Sequence, residues 1–388
     1  MTNPARWLLM LALVLAAINL RPGITSFAPL IERIAADLHL SRGLISLTTA
    51  LPVLLMGLLA PLAPRLAVRF GLEQTIRLCL ALIGLALILR LVGDSAWLLI
   101  VTAAMVGAGI AVAGPLISGF IKRYFLDRVG RTAAFYSLSM AVGGTLGVVL
   151  TAPATAVFGQ RWTLGLALWA IPAVLALLVW TRLPNRPEPA AERNAGLPWR
   201  EPRAWLVSIY FALQAGLFYA LATWLVARYH EAGFSTVQSN AFFSGFMLIG
   251  LPSAFLMPWL AQRFGKRHLM MAACSTLATA ALLVIALLPQ VQPLLICMLL
   301  GVALNGTFSM SLVLPMHEAS TPLAVSRLTA MMLCTGYCLA CFAPVLTGIG
   351  RDLAGSYQGP FLVLASLAAV MSLLALRLAP RPDAGRVS

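Results

Sequence analysis

The chain has 388 residues, of which 61% are apolar and only 10% charged, with a mean hydropathy of +0.92. Soluble domains carry charge on about a quarter of their residues, so a soluble globular protein and a disordered one are both excluded. The formal net charge of +15 would suit a nucleic-acid binder, and the placement of the charges along the chain argues against that.

A hydrocarbon layer about 30 Å thick is crossed by roughly 20 apolar residues in a helix. The sequence predicts twelve such spans, near residues 7–29, 43–63, 75–92, 96–121, 132–158, 162–181, 204–228, 238–261, 269–288, 293–315, 328–349 and 358–378. The first contains Arg21 within AAINLRPGITSFAPL, and its apolar character resumes after that arginine up to Ile31. A retained, broken helix fits this better than a cleaved signal segment. Between the sixth and seventh spans, RLPNRPEPAAERNAGLPWREPR is the one long polar stretch. Its Pro, Glu and Arg content marks a linker over 182–203, between an N-terminal half, 1–181, and a C-terminal half, 204–388. No other segment is long and polar enough for an extramembrane enzyme, so no catalytic residue is expected.

With the N-terminus inside, 20 of the 27 Lys and Arg fall in cytoplasmic segments and six outside, and Arg21 is the remainder. That asymmetry is the positive-inside pattern; it predicts cytoplasmic termini and explains the basic balance without nucleic acid. The six cysteines lie inside or at the ends of spans and do not form a disulfide framework. Cys334, Cys338 and Cys341 share a helix face, yet lack histidine or carboxylate neighbours; they are read as small packing residues, and neither metal nor cofactor is expected.

The chain repeats itself. PRLAVRFG begins at Pro64 and PWLAQRFG at Pro258, an offset of 194, and VGRTAAFY from Val129 has a counterpart in VSRLTAMM from Val325. Two six-helix halves suggest alternating access, with a central site opened to each side in turn.

The turns Arg69 to Gly71 and Arg263 to Gly265 resemble the signature loop of the major facilitator superfamily. NLRPGITS, GPLISGFIKRYFLDRVGRTAAFYSLSMAVGGTLG, LALWAIPAVLALLVW and PRAWLVSIYFALQAGLFYALATWL together are similar to its cyanate permease and nitroimidazole transporter family. The resemblance runs along nearly the whole chain and implies an all-α, twelve-helix transporter of a bacterial inner membrane. Val68 and Gln262 replace the acidic residue of the signature loop, which puts its usual carboxylate latch in question. The fourth span lacks the arginine associated with proton-driven drug exporters, and Gly143, Gly144 and Gly147 match the antiporter motif only partly.

Arg21 is the only charge read as lying well inside a span, and all twelve acidic residues fall in loops or at span ends. A buried arginine costs about 2.5 to 3.5 kcal/mol on insertion scales, so it faces a cavity, a partner or a ligand. Pro22 and Gly23 loosen the helix there, Asn19 and Thr25 offer neutral hydrogen bonds, and a planar five-donor fork suits a small anion. The competing reading is an arginine that snorkels or bonds helix-end carbonyls. Gln214, Tyr219, Tyr136, Asn305 and Tyr337 are further substrate-site candidates, each weighed against a plain interhelical hydrogen bond.

Lys122, Arg123, Asp127 and Arg131 form a charged turn, expected to act as a gate together with the Arg69, Gly71, Arg263 and Gly265 loops, or simply to orient the chain. HEAST from His317 lacks the second histidine of a zinc hydrolase motif. No deep carboxylate or histidine marks a proton relay, which favours uniport, anion exchange or a proton carried with the substrate. The sequence is thus read as a monomeric transporter of a small anion such as cyanate. The alternatives are an exporter of nitroimidazole-like or amphiphilic drugs and a transport-inactive membrane receptor.

Overall fold

The computed structural model describes residues 6–30, 33–34, 37–39, 42–159, 161–186 and 196–379, which are helices joined by short turns. In chain order they are α1 (Arg6–Asn19), α2 (Pro22–Thr25), α3 (Arg42–Leu58), α4 (Leu62–Phe70), α5 (Leu72–Leu89), α6 (Ala96–Tyr124), α7 (Val129–Val157), α8 (Trp162–Ala167) and α9 (Ala170–Trp180). There follow α10 (Pro202–Glu231), α11 (Thr236–Leu248), α12 (Gly250–Phe264), α13 (Arg267–Leu287), α14 (Pro293–Glu318), α15 (Pro322–Ala340), α16 (Phe342–Ala354) and α17 (Gln358–Arg377). Among the described residues, eleven helical stretches are long and apolar enough to cross a bilayer. A twelfth forms if the bent pair 51–58 and 62–70, which turns by 64°, is taken as one span. Side chains such as Trp97, Val157 and Leu353 stand at least three-quarters exposed, as expected of a surface solvated by lipid.

The chain divides into two compact units, Met1–Pro198 with Pro315–Cys334, and Trp199–Leu314 with Thr335–Ser388. Within the first, helices approach closely because small residues face one another. Ala12, Ala16 and Ala17 of α1 are fully buried. A Cβ on Gly107 of α6 would meet backbone of Pro52 in α3, and one on Gly109 would meet Ile83 in α5 at 2.7 Å. Trp180 of α9, also fully buried, donates its indole N–H to the Ala12 carbonyl at 2.8 Å, which satisfies the one polar atom of that side chain.

The repeated octapeptides share one backbone feature. Each ends a helix, α4 or α12, on a glycine with positive φ: Gly71 at 88° and Gly265 at 64°. Residues with a Cβ rarely adopt those angles, so the shared glycine is what lets the chain reverse there.

Candidate functional site

The first span is broken where Pro22 predicts it. Pro22 has no N–H to give the Ile18 carbonyl; α1 ends at Asn19, and Arg21 sits in the turn before α2, half-buried. The Arg21 carbonyl then takes the N–H groups of Ile24 and Thr25, each at 3.0 Å, and the Thr25 hydroxyl at 3.2 Å. One face of α7 receives the break. A Cβ on Gly143 would collide with the Ile18 carbonyl, one on Gly147 with Thr25 and Pro22, and one on Gly144 would rest 3.4 Å from Arg21 Cβ. Tyr136, two helical turns before Gly143 on that face, is buried. The α7 glycines therefore form the seat of the Arg21 turn.

Asn19 and Thr25 are more committed than their sequence positions suggest. Both amide hydrogens of Asn19 are used, on the carbonyls of Leu15 at 2.7 Å and Pro172 at 2.9 Å, so only its oxygen is left to meet a ligand. The Thr25 proton goes to its own helix.

The remaining candidates lie in the second unit. Gln214 of α10 is 1% exposed; its amide N–H donates to the Leu304 carbonyl at 3.1 Å, while its Oε1 is buried without a partner among the described residues. An orphaned buried acceptor is costly unless a donor reaches it. Phe211, one turn away, packs edge-on against Tyr337 at 5.5 Å, and Tyr337 meets Tyr219 at 6.4 Å. Asn305 donates to Gly301 at 2.9 Å and packs on Gly250 of α12 so closely that a Cβ there would clash. An apolar cleft of about 690 Å³ lies elsewhere in this unit, between α10, α16 and α17, with Leu213, Leu217, Ala343 and Leu364 in its walls.

Arg21 is not the only charge drawn out of solvent, which position at a span end does not reveal. Glu73, in the first turn of α5, is fully buried. It accepts from Arg123 at 3.0 Å and the Tyr124 hydroxyl at 2.8 Å on one oxygen, and from the Arg186 backbone N–H at 3.1 Å on the other. It thus supplies, five residues after Val68, a carboxylate next to the signature loop. Asn185 reinforces the junction by donating to the Phe70 carbonyl at 2.8 Å and accepting from the Gln74 N–H at 3.2 Å. The start of the 182–203 stretch is therefore docked on the α4–α5 turn.

At the same end of the unit, Lys122 donates to the Met316 carbonyl at 3.0 Å, and a Cβ on Gly119 would meet Ser326 and the Pro322 carbonyl. Asp127 pairs with Arg6 at 3.5 Å and Arg128 at 3.6 Å, all exposed, an arrangement that contributes little to stability. Arg131 is exposed, and Arg69 and Arg263 lie over the rings of Phe70 and Trp259.

Two arginines counted on the outer side, at the ends of their spans, are also buried. Arg90 closes α5 and is fully buried; Arg228 near the end of α10 is 7% exposed. Arg228 donates to the last-turn carbonyls of α13, Ile285 at 3.2 Å and Ala286 at 2.9 Å, and pairs with Glu231 at 3.2 Å. Glu231 in turn accepts the Tyr357 N–H at 2.9 Å. The available signal was an arginine closing a long apolar run, as in LALILR. Among the described residues, no three His, Cys, Asp or Glu converge as a metal site would require.

Residues 8–342 match the sequence profile of the Major Facilitator Superfamily. The cyanate transport protein CynX of Escherichia coli K12 is 31% identical over 96% of this chain and 97% of its own length. The 2-nitroimidazole transporter of the same strain is 27% identical over 96% and 95%. Among solved structures, the proton:xylose symporter XylE superposes with a TM-score of 0.79 at 12% identity, over 96% of each chain. Its likeness is one of fold.

Proposed function

We propose, on the premise that this chain belongs to the major facilitator superfamily and resembles its cyanate permease and nitroimidazole transporter branch, that it carries a small anion across the inner membrane by alternating access. The carrying observation is the Arg21 turn: a half-buried arginine at a helix break, seated on the α7 glycines. A helix broken at membrane depth puts polar backbone where a ligand needs it, and a guanidinium there is a recognition group for a planar or linear anion. Cyanate is the first choice because it is what the 31% identical relative is named for. Asn19, Thr25 and Tyr136 are the candidates that accompany Arg21 in the first unit, and Gln214, Tyr219, Asn305 and Tyr337 are the substrate-site candidates of the second.

Opening and closing falls to the Glu73 end, where Lys122 and Gly119 meet the Met316–Ser326 segment. We place that end and both termini in the cytoplasm, on the charge asymmetry, and take the working unit to be a monomer. Glu231 is tied to Arg228 and Tyr357, which supports uniport, exchange or a proton travelling with substrate over a relay at this carboxylate.

A second reading has its own support. An aromatic cluster one turn from Gln214, with Phe211 and Tyr219 each packed against Tyr337, suits a neutral planar ring, and a relative is named for 2-nitroimidazole. Labelled cyanate uptake into proteoliposomes, competed by nitrite, formate and 2-nitroimidazole, separates the two. The anion reading expects competition by nitrite and formate and loss of uptake in a folded Arg21→Gln protein. Competition by 2-nitroimidazole alone, with Arg21→Gln indifferent, transfers the function to the exporter. Robust net flux of either kind disposes of a transport-inactive receptor.

A further inference from the structure

Among the described residues, Arg90 is a buried cation with no carboxylate beside it. It is fully buried, it closes α5, and among the described residues it forms no ion pair. Its guanidinium is held in three directions instead. Nη2 donates to the Gly23 carbonyl at 3.2 Å, Nε reaches the Thr102 hydroxyl of α6 at 3.4 Å, and the group stacks over the Phe27 ring, 4.6 Å from its centroid. Nη1 is buried with no partner among the described residues. Burying such a charge is expensive, and exchanging it for an apolar side chain would be the cheaper way to fill the same space.

The Gly23 carbonyl is the group that needs it. In an unbroken helix the N–H of Phe27 would bond to that oxygen, but here the Phe27 N–H turns to Ile24 at 3.4 Å. A carbonyl freed by the break would be unsatisfied in an apolar surrounding, and Arg90 satisfies it while clasping the aromatic ring that follows α2. Gly23 also has Val106 of α6 against it, 2.7 Å from where its Cβ would be, so α2 is pinned from the α5 and α6 side by Arg90 and Val106 and from the opposite side by Gly147. In the second unit the corresponding pair of helices is also tied by a buried arginine, Arg228, running from α10 to the free carbonyls of α13. That one is neutralised by Glu231.

We infer that Arg90 is a positioning residue for Arg21: by holding the Gly23 carbonyl and the Phe27 ring it fixes the break two residues from Arg21, and so sets where the Arg21 guanidinium meets the anion. This rests on the reading of Arg21 as the anion anchor, so the test has one arm that does not. Hydrogen exchange of the Ile24–Phe27 amides is followed in wild type, Arg21→Gln and Arg90→Gln, alongside cyanate affinity in the same proteins and in the double variant. Arg90→Gln is expected to speed exchange in that segment about ten-fold or more, the consequence of losing a charge-assisted hydrogen bond, with the cores of α5 and α6 unchanged. It is also expected to weaken cyanate binding, with little further loss when added to Arg21→Gln.

Unchanged exchange at Ile24–Phe27 overturns the inference, as does acceleration spread evenly over α5 and α6, the mark of a general stabiliser. Additive losses of affinity in the double variant overturn it too, since Arg90 would then be an anion site of its own. If Arg21→Gln leaves cyanate affinity intact, the anion reading fails, and the exchange arm still decides whether Arg90 holds the break. Should Arg90→Gln not fold, Thr102→Val removes one of the three ties more gently and is expected to shift the same amides, by a smaller factor.

Discussion

Changing Gly143 to alanine adds one methyl group at the seat of the Arg21 turn. Its Cβ would fall on the Ile18 carbonyl oxygen, with the carbonyl carbon at 2.9 Å and Cα at 3.0 Å. All three are backbone atoms, so no side-chain rotation relieves the contact, and α1 has to withdraw. Overpacking of this kind costs about 1 to 3 kcal/mol, and a contact against backbone belongs at the upper end. Alanine recovers about 0.8 to 1.0 kcal/mol of helix propensity over glycine. The net loss for Gly143→Ala is then about 2 kcal/mol. Its neighbour is the control. A Cβ on Gly144 meets only side-chain carbons, Arg21 Cβ at 3.4 Å, Arg21 Cγ at 3.6 Å and Thr25 Cγ2 at 3.9 Å, which is ordinary contact. Gly144→Ala should therefore be neutral or stabilising by up to about 1 kcal/mol. Thermal unfolding of the two purified proteins in the same detergent, with cyanate affinity measured in parallel, is the assay. Gly143→Ala should melt lower and bind more weakly, because the displaced strand of chain carries Arg21. Equal melting temperatures and equal affinities would refute the close seat and the reasoning built on it.

Glu73→Gln leaves Arg123 opposite a neutral amide in a buried junction, and should lower stability by about 3 kcal/mol; an unchanged melting temperature would mean the Glu73 junction is not holding the α4–α5 turn. The signature-loop glycines should differ in cost although the sequence repeats them. Gly265→Ala, at φ 64° with open space around it, should lose about 1 to 2 kcal/mol. Gly71→Ala should lose more, because it combines φ 88° and ψ 152° with a collision against Asn185; a denaturant midpoint for Gly71→Ala equal to or above that of Gly265→Ala would contradict this.

Span positions were legible because hydropathy is a local property measured against a fixed membrane thickness. The reading of 75–92 became α5 at Leu72–Leu89 and that of 204–228 became α10 at Pro202–Glu231. Pro22 announced the break in the first span for an equally local reason, the N–H it lacks. The repeat at Pro64 and Pro258 located two helix ends with a positive-φ glycine because glycine's access to positive φ belongs to the residue.

Charge was another matter. On sequence, Glu73, Arg90 and Arg228 sit at the ends of apolar runs, where a charge is ordinarily solvated. Their burial depends on partners far along the chain: Arg123 and Arg186 for Glu73, 50 and 113 residues away, Gly23 for Arg90, 67 residues away, and Ile285 and Ala286 for Arg228, 57 and 58 residues away. The α7 glycines likewise read as a partial motif until packing set them against Ile18, Arg21 and Thr25. The sequence by itself determined that the chain crosses a membrane, where its helices run and that one of them breaks at an arginine. Which charges are buried, and what holds that break in place, was decided by tertiary packing, because only packing sets the distance between residues that the chain keeps far apart.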